Sequence, residues 1–168
     1  ESGIATVLGD LAELEFGHGH PEEALRAVSE ALGIDLRGKN ATTIAYGYIN
    51  IAAYRIALND LTGARDAARE GLRFARQVRN EQLIAVALQH LAVLAGLGGD
   101  ARRGAQLLGY MNAQYTALGV QREPTEQWGY DKLMAALREA LSADEIATLG
   151  AEGAAWSEDP AVEEALKI

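Results

Sequence analysis

The sequence predicts an all-α fold built from antiparallel helical hairpins, and three observations support that prediction. First, apolar residues recur every three or four positions along most of the chain, which is the periodicity of amphipathic helices. Second, the pattern that begins at Ile4 returns at Ile44 and again at Ile84. Third, hydrophobic residues make up 49% of the chain but aromatic residues only 6%. Alanine and leucine therefore supply most of the apolar surface, which suits closely packed helices better than sheets.

The internal repeat becomes visible when the sequence is aligned with itself so that Ile4 lies over Ile44 and Ile84. The matching columns hold apolar or small residues, in this order: Ile4, Ile44 and Ile84; Ala5, Ala45 and Ala85; Leu8, Tyr48 and Leu88; Leu11, Ile51 and Leu91; Ala12, Ala52 and Ala92; Leu14, Tyr54 and Leu94. A small residue then opens each second helix: Ala24, Ala64 and Gly104. We therefore predict three hairpins over residues 1–118 and separate capping helices over 119–168.

Polar turn residues mark where helices begin within these hairpins. The expected cap positions, in chain order, are His20 before Pro21, Asn40 before a helix over about 41–58, Asp60 after Asn59, and Asp100 after Gly98 and Gly99. Such residues satisfy the backbone N–H groups of a first helical turn, and proline is tolerated there because it has no N–H to lose. Glu22 and Glu23 further favour a helix N-terminus after His20.

From about residue 125 the repeat pattern stops, and three shorter helices are predicted over about 125–141, 143–155 and 159–167. Their expected starts are Thr125 as a cap, Ser142 with Glu145 as a capping box, and the pair Asp159-Pro160. Trp128 and Trp156 are expected to pack within this cap, with ligand contact as the alternative.

The composition excludes several classes of function. The formal net charge is −9, from 15 lysines and arginines against 24 acidic residues, which argues against a large phosphate-binding surface. Cysteine is absent, so disulfides and thiolate metal sites are excluded. No apolar stretch of about 18 residues encodes a membrane span. The chain opens at Glu1 inside a helical pattern, which we interpret as a fragment of a longer protein.

The repeat columns resemble the tetratricopeptide (TPR) family. Its pattern of a large apolar residue, an apolar–small pair and a small residue in the second helix is followed in all three units: Leu8…Leu11-Ala12…Ala24, Tyr48…Ile51-Ala52…Ala64 and Leu88…Leu91-Ala92…Gly104. Two departures are the 40-residue unit, against the usual 34, and the replacement of the family's aromatic by Glu15, Arg55 and Ala95. The resemblance implies hairpins stacked as a TPR-like right-handed solenoid with a C-terminal helical cap.

The last third of the chain extends this resemblance. The series from Ala105 to Tyr110, the Leu118-Gly119 stop and the lead Glu123-Pro124-Thr125 is similar to the end of the helical-repeat region in bacterial LuxR-type and SARP-type transcriptional regulators and related ATPase-linked signalling proteins. The resemblance implies a cytoplasmic sensor or scaffold module of a multidomain regulator.

The TPR resemblance also implies where a partner would bind, because the first helix of each hairpin lines the concave surface in that family. Carried over by repeat position, the candidate partner-binding residues are Thr6, Gly9, Glu13 and Phe16; Tyr46, Ile49, Asn50 and Ala53; and Val86, Gln89, His90 and Val93. This mixed surface suits a helix or an extended peptide with apolar anchors. The alternative is that tail helices or a neighbouring repeat bury these residues.

A second candidate surface is a stripe of four arginines, Arg65, Arg69, Arg73 and Arg76, spaced for one face of a helix. One interpretation is a solvated face paired with Asp66 and Glu70. The other is a basic docking face for an acidic partner surface, such as another domain of the parent protein. Direct nucleic-acid binding is not expected, because the net charge opposes it and no aromatic residues are interleaved.

Two motifs imitate catalytic or ligand-binding sites. The segment from Gly33 to Asn40 resembles a phosphate-binding P-loop, but Asn40 replaces the hydroxyl residue and no strand precedes it, so we interpret it as a connector between hairpins. His18, His20 and His90 show no orienting carboxylate and no paired nucleophile, so we expect neither a metal site nor catalysis.

We therefore predict a protein- or peptide-interaction module without enzymatic activity, cofactor, metal or membrane association. The alternative function is a structural module that mediates self-association as a homo-oligomer.

Overall fold

The computed structural model describes residues 2–168, and over this range the secondary structure is helical throughout, without a strand. The helices are α1 (Ser2–Gly17), α2 (Pro21–Gly38), α3 (Ala41–Ala57), α4 (Leu61–Gln77), α5 (Glu81–Leu97), α6 (Ala101–Leu118), α7 (Pro124–Ala140), α8 (Ala143–Ala154) and α9 (Glu158–Ala165). The predicted all-α class is confirmed. The chain divides into two compact units, Glu1–Ile84 and Ala85–Ile168, which we describe separately.

The turns that follow the first six helices are evenly spaced along the chain. One residue in each turn has a positive φ angle: Gly19, Lys39, Asn59, Arg79, Gly99 and Gly119. The N–H of the following residue donates to the carbonyl oxygen five positions back in the preceding helix, as His20 does to Glu15 and Asp60 to Arg55, both at 2.9 Å. This is the hydrogen bond of a Schellman ending, so one helix with its turn forms the repeating element, and two such elements make one sequence repeat.

Arg79, in the turn after α4, has a positive φ angle although it is not a glycine. An L-residue with a side chain pays about 1 kcal/mol to adopt this conformation, and glycine does not. We expect Arg79→Gly to raise the free energy of unfolding by about 0.5–1 kcal/mol. Arg76→Gly, in the last turn of α4, is the matched control and should lower it by about 1 kcal/mol. Urea unfolding followed by circular dichroism measures both; equal signs for the two changes would contradict the assignment of the turn.

Most of the predicted caps are confirmed. The Asn40 side chain accepts from the N–H groups of Thr42 and Thr43, at 3.2 and 3.3 Å. Asp60 accepts from the Gly63 N–H at 2.9 Å, and Asp100 accepts from that of Arg103 at 3.2 Å. These bonds satisfy N–H groups of the first turns of α3, α4 and α6.

His20 occupies a cap position but makes no cap hydrogen bond with its side chain. Its Nδ1 atom lies 2.8 Å from a carboxylate oxygen of Glu15 instead. The prediction that the histidines have no orienting carboxylate is therefore wrong for His20. Both side chains are accessible at the surface, so this pair joins α1 to the following turn rather than lining an enclosed site.

The tail helices form where they were predicted, with two corrections at their starts. Helix α7 begins at Pro124 and its cap position is Glu123, whose N–H donates to the Glu126 carboxylate at 3.1 Å. Thr125 lies inside the first turn, so the prediction that it caps this helix is wrong. Helix α9 begins at Glu158 rather than at the predicted Asp159.

The expected capping box at the start of α8 is confirmed. The Ser142 N–H donates to the Glu145 carboxylate at 2.9 Å, and the Glu145 N–H donates to the Ser142 hydroxyl at 3.3 Å. Trp128 and Trp156 are both half-buried rather than enclosed, and the Lys132 ammonium lies 5.5 Å from the Trp128 ring centroid. Each tryptophan therefore combines packing with an exposed edge.

The P-loop-like segment adopts a helix instead of a loop. Helix α2 continues to Gly38, and only Lys39 and Asn40 connect it to α3. The predicted connector over the whole segment from Gly33 is therefore too long. Because its N–H groups are used within the helix, this backbone cannot wrap around a phosphate.

In the first unit, sequence neighbours pack against each other: α1 on α2, α2 on α3, and α3 on α4. Glycines allow two of these approaches. A Cβ on Gly47 of α3 would lie 3.2 Å from the Leu32 side chain of α2, and one on Gly71 of α4 would lie 2.8 Å from Ile49 of α3. Small residues at these crossings bring the helix axes close together.

In the second unit, α6 contacts α7, α8 and α9. Leu133 and Leu137 of α7 are fully buried, and they lie beside Gly96 and Gly104. The first tail helix thus covers apolar surface from the end of α5 and the start of α6. Among the helices of residues 2–168, none has both the length and the apolar character that crossing a membrane requires.

Candidate functional site

The predicted partner-binding residues separate into buried and accessible groups. Six of them are buried in this structure: Ile49, Ala53, Val86, Gln89, His90 and Val93. The other six keep accessible surface: Thr6, Glu13 and Tyr46 are exposed, and Gly9, Phe16 and Asn50 are half-buried. A side chain without accessible surface cannot contact a partner while the fold is intact. The prediction that the six buried residues contact a partner is therefore wrong, because they belong to the core. For the six accessible residues partner binding stays a prediction.

The chain entering α7 explains the burial of Gln89. Its side-chain amide donates to the Glu126 carbonyl oxygen at 2.7 Å and accepts from Arg122 Nε at 2.9 Å. A Cβ on Gly129 would lie 3.2 Å from the same amide nitrogen. The tail thus closes over the polar residues of α5, which was the stated alternative for these positions.

Arg122 holds this closure in place. Its guanidinium lies between the rings of Tyr115 and Tyr130, 4.5 and 4.3 Å from their centroids. Nη2 also donates to the Asn112 side-chain oxygen at 2.7 Å. Cation–π contacts on two faces and two hydrogen bonds fix the orientation of the arginine. Sequence reasoning missed Arg122, because a single arginine in a linker carries no periodic signal.

Glu126 completes the cluster around Arg122. Its carboxylate accepts from the Tyr115 hydroxyl at 2.9 Å. Burial raises the pKa of the Glu126 carboxyl, against the opposing effect of its hydrogen bonds, and burial with the nearby Glu126 charge raises the pKa of the Tyr115 hydroxyl. These groups are committed to packing α7, so we assign them no catalytic role.

His90 is the most isolated of the three histidines. Its ring is 1% exposed, its Nδ1 atom has no hydrogen-bond partner, and burial lowers its pKa to about 4. The imidazole is therefore neutral at physiological pH. Over the described part of the chain, no cluster of three histidines or carboxylates has the geometry to hold a metal ion.

The arginine stripe of α4 is partly neutralised within its own helix. Arg73 donates to both carboxylate oxygens of Glu70, the shortest bond being 2.7 Å, and its guanidinium carbon lies 4.1 Å from the Phe74 ring centroid. Arg65 and Arg69 are half-buried, whereas Arg73 and Arg76 are exposed. Docking of an acidic surface on this stripe stays a prediction.

Five of the six accessible residues of the predicted concave face, all except Phe16, line a groove of the first unit. It lies among α1, α2 and α3 and has a volume of about 660 Å³. Its lining residues are Ala5, Thr6, Gly9, Asp10 and Glu13 of α1; Val28, Ala31, Ile34, Asp35 and Gly38 of α2; and Asn40, Thr43, Tyr46, Gly47 and Asn50 in and before α3. Seven of these fifteen residues are aliphatic or glycine, and polar or charged residues lie between them, which is typical of a binding cleft.

The charge of this groove has one sign. Asp10, Glu13 and Asp35 contribute carboxylates, and among the lining residues that the structure describes there is no lysine or arginine. Two effects raise the pKa of the Tyr54 hydroxyl. Burial is the larger one, and the negative charge of Glu13 adds to it. An acidic, largely apolar groove favours a ligand with an apolar body and a positive group.

Asp10 and Asp35 were not predicted, for different reasons. Asp10 occupies the repeat column of Asn50 and His90, both of which were proposed, so the column itself contained the signal. Asp35 lies on a second helix, and its place in the groove depends on how α2 packs against its neighbours.

The second unit contains an apolar groove of about 700 Å³ among α6, α7 and α8. Its lining includes Leu108, Met134 and Ile146 beside many alanines and glycines, and none of the described lining residues is charged. This groove therefore has no charged group that would select one class of ligand, and we base no function on it.

Comparisons with protein-family models, with curated proteins and with solved structures return no match to this chain. The resemblance to tetratricopeptide proteins thus stays an expectation from the sequence.

Proposed function

We propose that this chain is a non-catalytic protein- or peptide-interaction module whose binding site is the acidic groove of the first unit. The observation that carries this proposal is the convergence of Asp10, Glu13 and Asp35 on a groove of about 660 Å³ that is also lined by aliphatic side chains. The ligand of this groove is a peptide segment with apolar side chains and at least one lysine or arginine. The aliphatic side chains of the groove accommodate the former, and its carboxylates neutralise the latter.

The side chains around the groove also suit a peptide backbone. Asn50 and Tyr46 present an amide and a hydroxyl on α3. Such groups can donate to or accept from main-chain amides without fixing one side-chain sequence. The groove therefore selects a charge and an apolar anchor more strongly than it selects an exact sequence.

We propose further that α1 with α2, α3 with α4, and α5 with α6 are TPR-like hairpins, with α7, α8 and α9 as the cap. Their support is the recurrence of helix starts at Pro21, Leu61 and Ala101 and the even spacing of the left-handed turns from Gly19 to Gly119. The parent protein is then a multidomain bacterial transcriptional or signalling regulator, as the sequence resemblance implies, and one candidate ligand is a basic segment of that same protein.

Peptide selection tests the groove directly. Random peptides displayed on phage and selected on the full chain should converge on sequences that contain lysine or arginine beside apolar residues. A synthetic peptide from that selection should bind at least tenfold more weakly to the double variant Asp10→Lys with Asp35→Lys, measured by isothermal titration calorimetry.

The matched control is Glu22→Lys with Glu23→Lys, which makes the same change in net charge at the exposed start of α2. We expect it to leave the affinity within about twofold. If the two double variants weaken binding equally, long-range charge explains the effect and the groove is not the site.

A further inference from the structure

Helix α1 exposes a continuous apolar stripe to solvent. Ile4, Val7, Leu11 and Leu14 are 58%, 66%, 42% and 55% exposed. Their spacings of three, four and three residues place them on one helix face, in the a/d pattern of a helix that pairs with another. Single exposed apolar residues are ordinary on protein surfaces, but four of them on one helix face are typical of a contact surface.

The chain's own repeat shows what covers this face elsewhere. The equivalent residues of the second repeat are Ile44, Gly47, Ile51 and Tyr54 of α3, and all four are buried. Helix α2 packs on this side of α3, because a Cβ on Gly47 would lie 3.2 Å from the Leu32 side chain. The equivalent residues of the third repeat, Ile84, Ala87, Leu91 and Leu94, are buried as well. The α1 stripe therefore corresponds to a face of α3 on which helix α2 packs. On α1 this face is accessible to solvent.

The charges beside the stripe define the helix that fits it. Asp10 and Glu15 lie on opposite sides of the stripe, and over Ser2–Gly17 the helix has no lysine or arginine. A helix with basic residues on both sides of an apolar seam would complement these carboxylates.

A second copy of the chain fits less well. Pairing α1 with α1 of another molecule would bring two acidic helices together, and each chain has a net charge of −9. The resulting repulsion opposes self-association through this face.

We propose that the α1 stripe is a docking face for a basic amphipathic helix from a partner protein. It goes beyond the acidic groove, since none of the four stripe residues lines that groove and Asp10 is the one side chain that both sites share. Helix α4 provides a template for the ligand. Its buried side carries small residues and Leu72, which is the repeat equivalent of Leu32, and its outer side carries four arginines. A peptide with the sequence of residues 61–78 is therefore a suitable probe.

Fluorescence anisotropy of this labelled peptide, titrated with the full chain at low salt, tests the proposal. We expect saturable binding that weakens at least tenfold with Val7→Asp plus Leu11→Asp. The matched control, Leu36→Asp plus Leu166→Asp, changes two leucines that are also exposed, outside α1, and should leave the affinity within about twofold. A peptide in which glutamate replaces the four arginines should also bind at least tenfold more weakly, because the charge pairing is reversed.

A Leu72→Asp change in the peptide tests the same contact without altering the protein, and it should weaken binding to a similar extent. The proposal is overturned if the stripe variant binds the peptide as the unmodified chain does, or if the unmodified chain shows no binding. It is also overturned if sedimentation equilibrium reveals a dimer that the stripe variant abolishes, because the face would then belong to a second copy.

Discussion

Gly153→Ala is expected to destabilise the second unit by about 3 kcal/mol. A Cβ at this position in α8 would overlap the carbonyl oxygen of Gln106 in α6. The obstacle is backbone, which cannot rotate away as a flexible side chain can. The two helices would have to separate, and α8 would lose its packing against α6.

Gly109 of α6 lies similarly close to the backbone of α8. A Cβ there would overlap the backbone carbonyl of Gly150 in α8. The crossing of the two helices is therefore fixed by backbone contact at Gly109 and Gly153, and the free energy lost on substitution reflects that geometry rather than a missing side chain.

Gly150→Ala is the matched control in the same helix. Its Cβ would lie 3.9 Å from the Gly109 Cα, which is an ordinary van der Waals separation. Alanine favours a helix interior over glycine, so we expect a gain of about 0.5–1 kcal/mol. Urea unfolding measured by circular dichroism compares the two variants. Similar free energies for Gly150→Ala and Gly153→Ala would mean that α8 does not approach α6 at this crossing.

The secondary structure was predictable because its causes are local. Apolar spacing of three and four residues locates the helices, and Asn40, Asp60 and Asp100 locate their starts through side-chain hydrogen bonds within one turn. The left-handed turns at Lys39 and Arg79 were less visible, because neither has glycine at the position where glycine is favoured.

The candidate site was only partly predictable because its determinants are distant in sequence. Repeat position led to Glu13, Tyr46 and Asn50, which line the groove, and their role in binding stays a prediction. Repeat position was wrong for Gln89 and His90. It describes a hairpin by itself and does not account for the tail helix α7 that covers these two residues. The path of the chain through Arg122 and Gly129 covers α5, and no periodic pattern encodes that path.

Acidification is expected to destabilise the protein through His90, with an effect of about 3 kcal/mol between pH 6.5 and pH 4. Above pH 6.5 the imidazole is neutral in both the folded and the unfolded chain, so it adds no pH dependence. Below that pH the unfolded chain binds a proton, while burial keeps the folded imidazole neutral until its pKa of about 4. The free energy of unfolding therefore falls as the pH decreases through this window.

His90→Met isolates this contribution, because methionine fills a similar volume and does not titrate. The carboxylates, including Glu126 with its raised pKa, titrate in both proteins, so the difference between the two stability profiles reports His90. We expect the profiles to diverge below pH 6.5 and the variant to retain more of its stability at pH 4. His18→Met, at an exposed position, should follow the unmodified chain throughout. Parallel profiles for His90→Met and the unmodified chain would show that His90 is protonated in the folded state and that water reaches its ring.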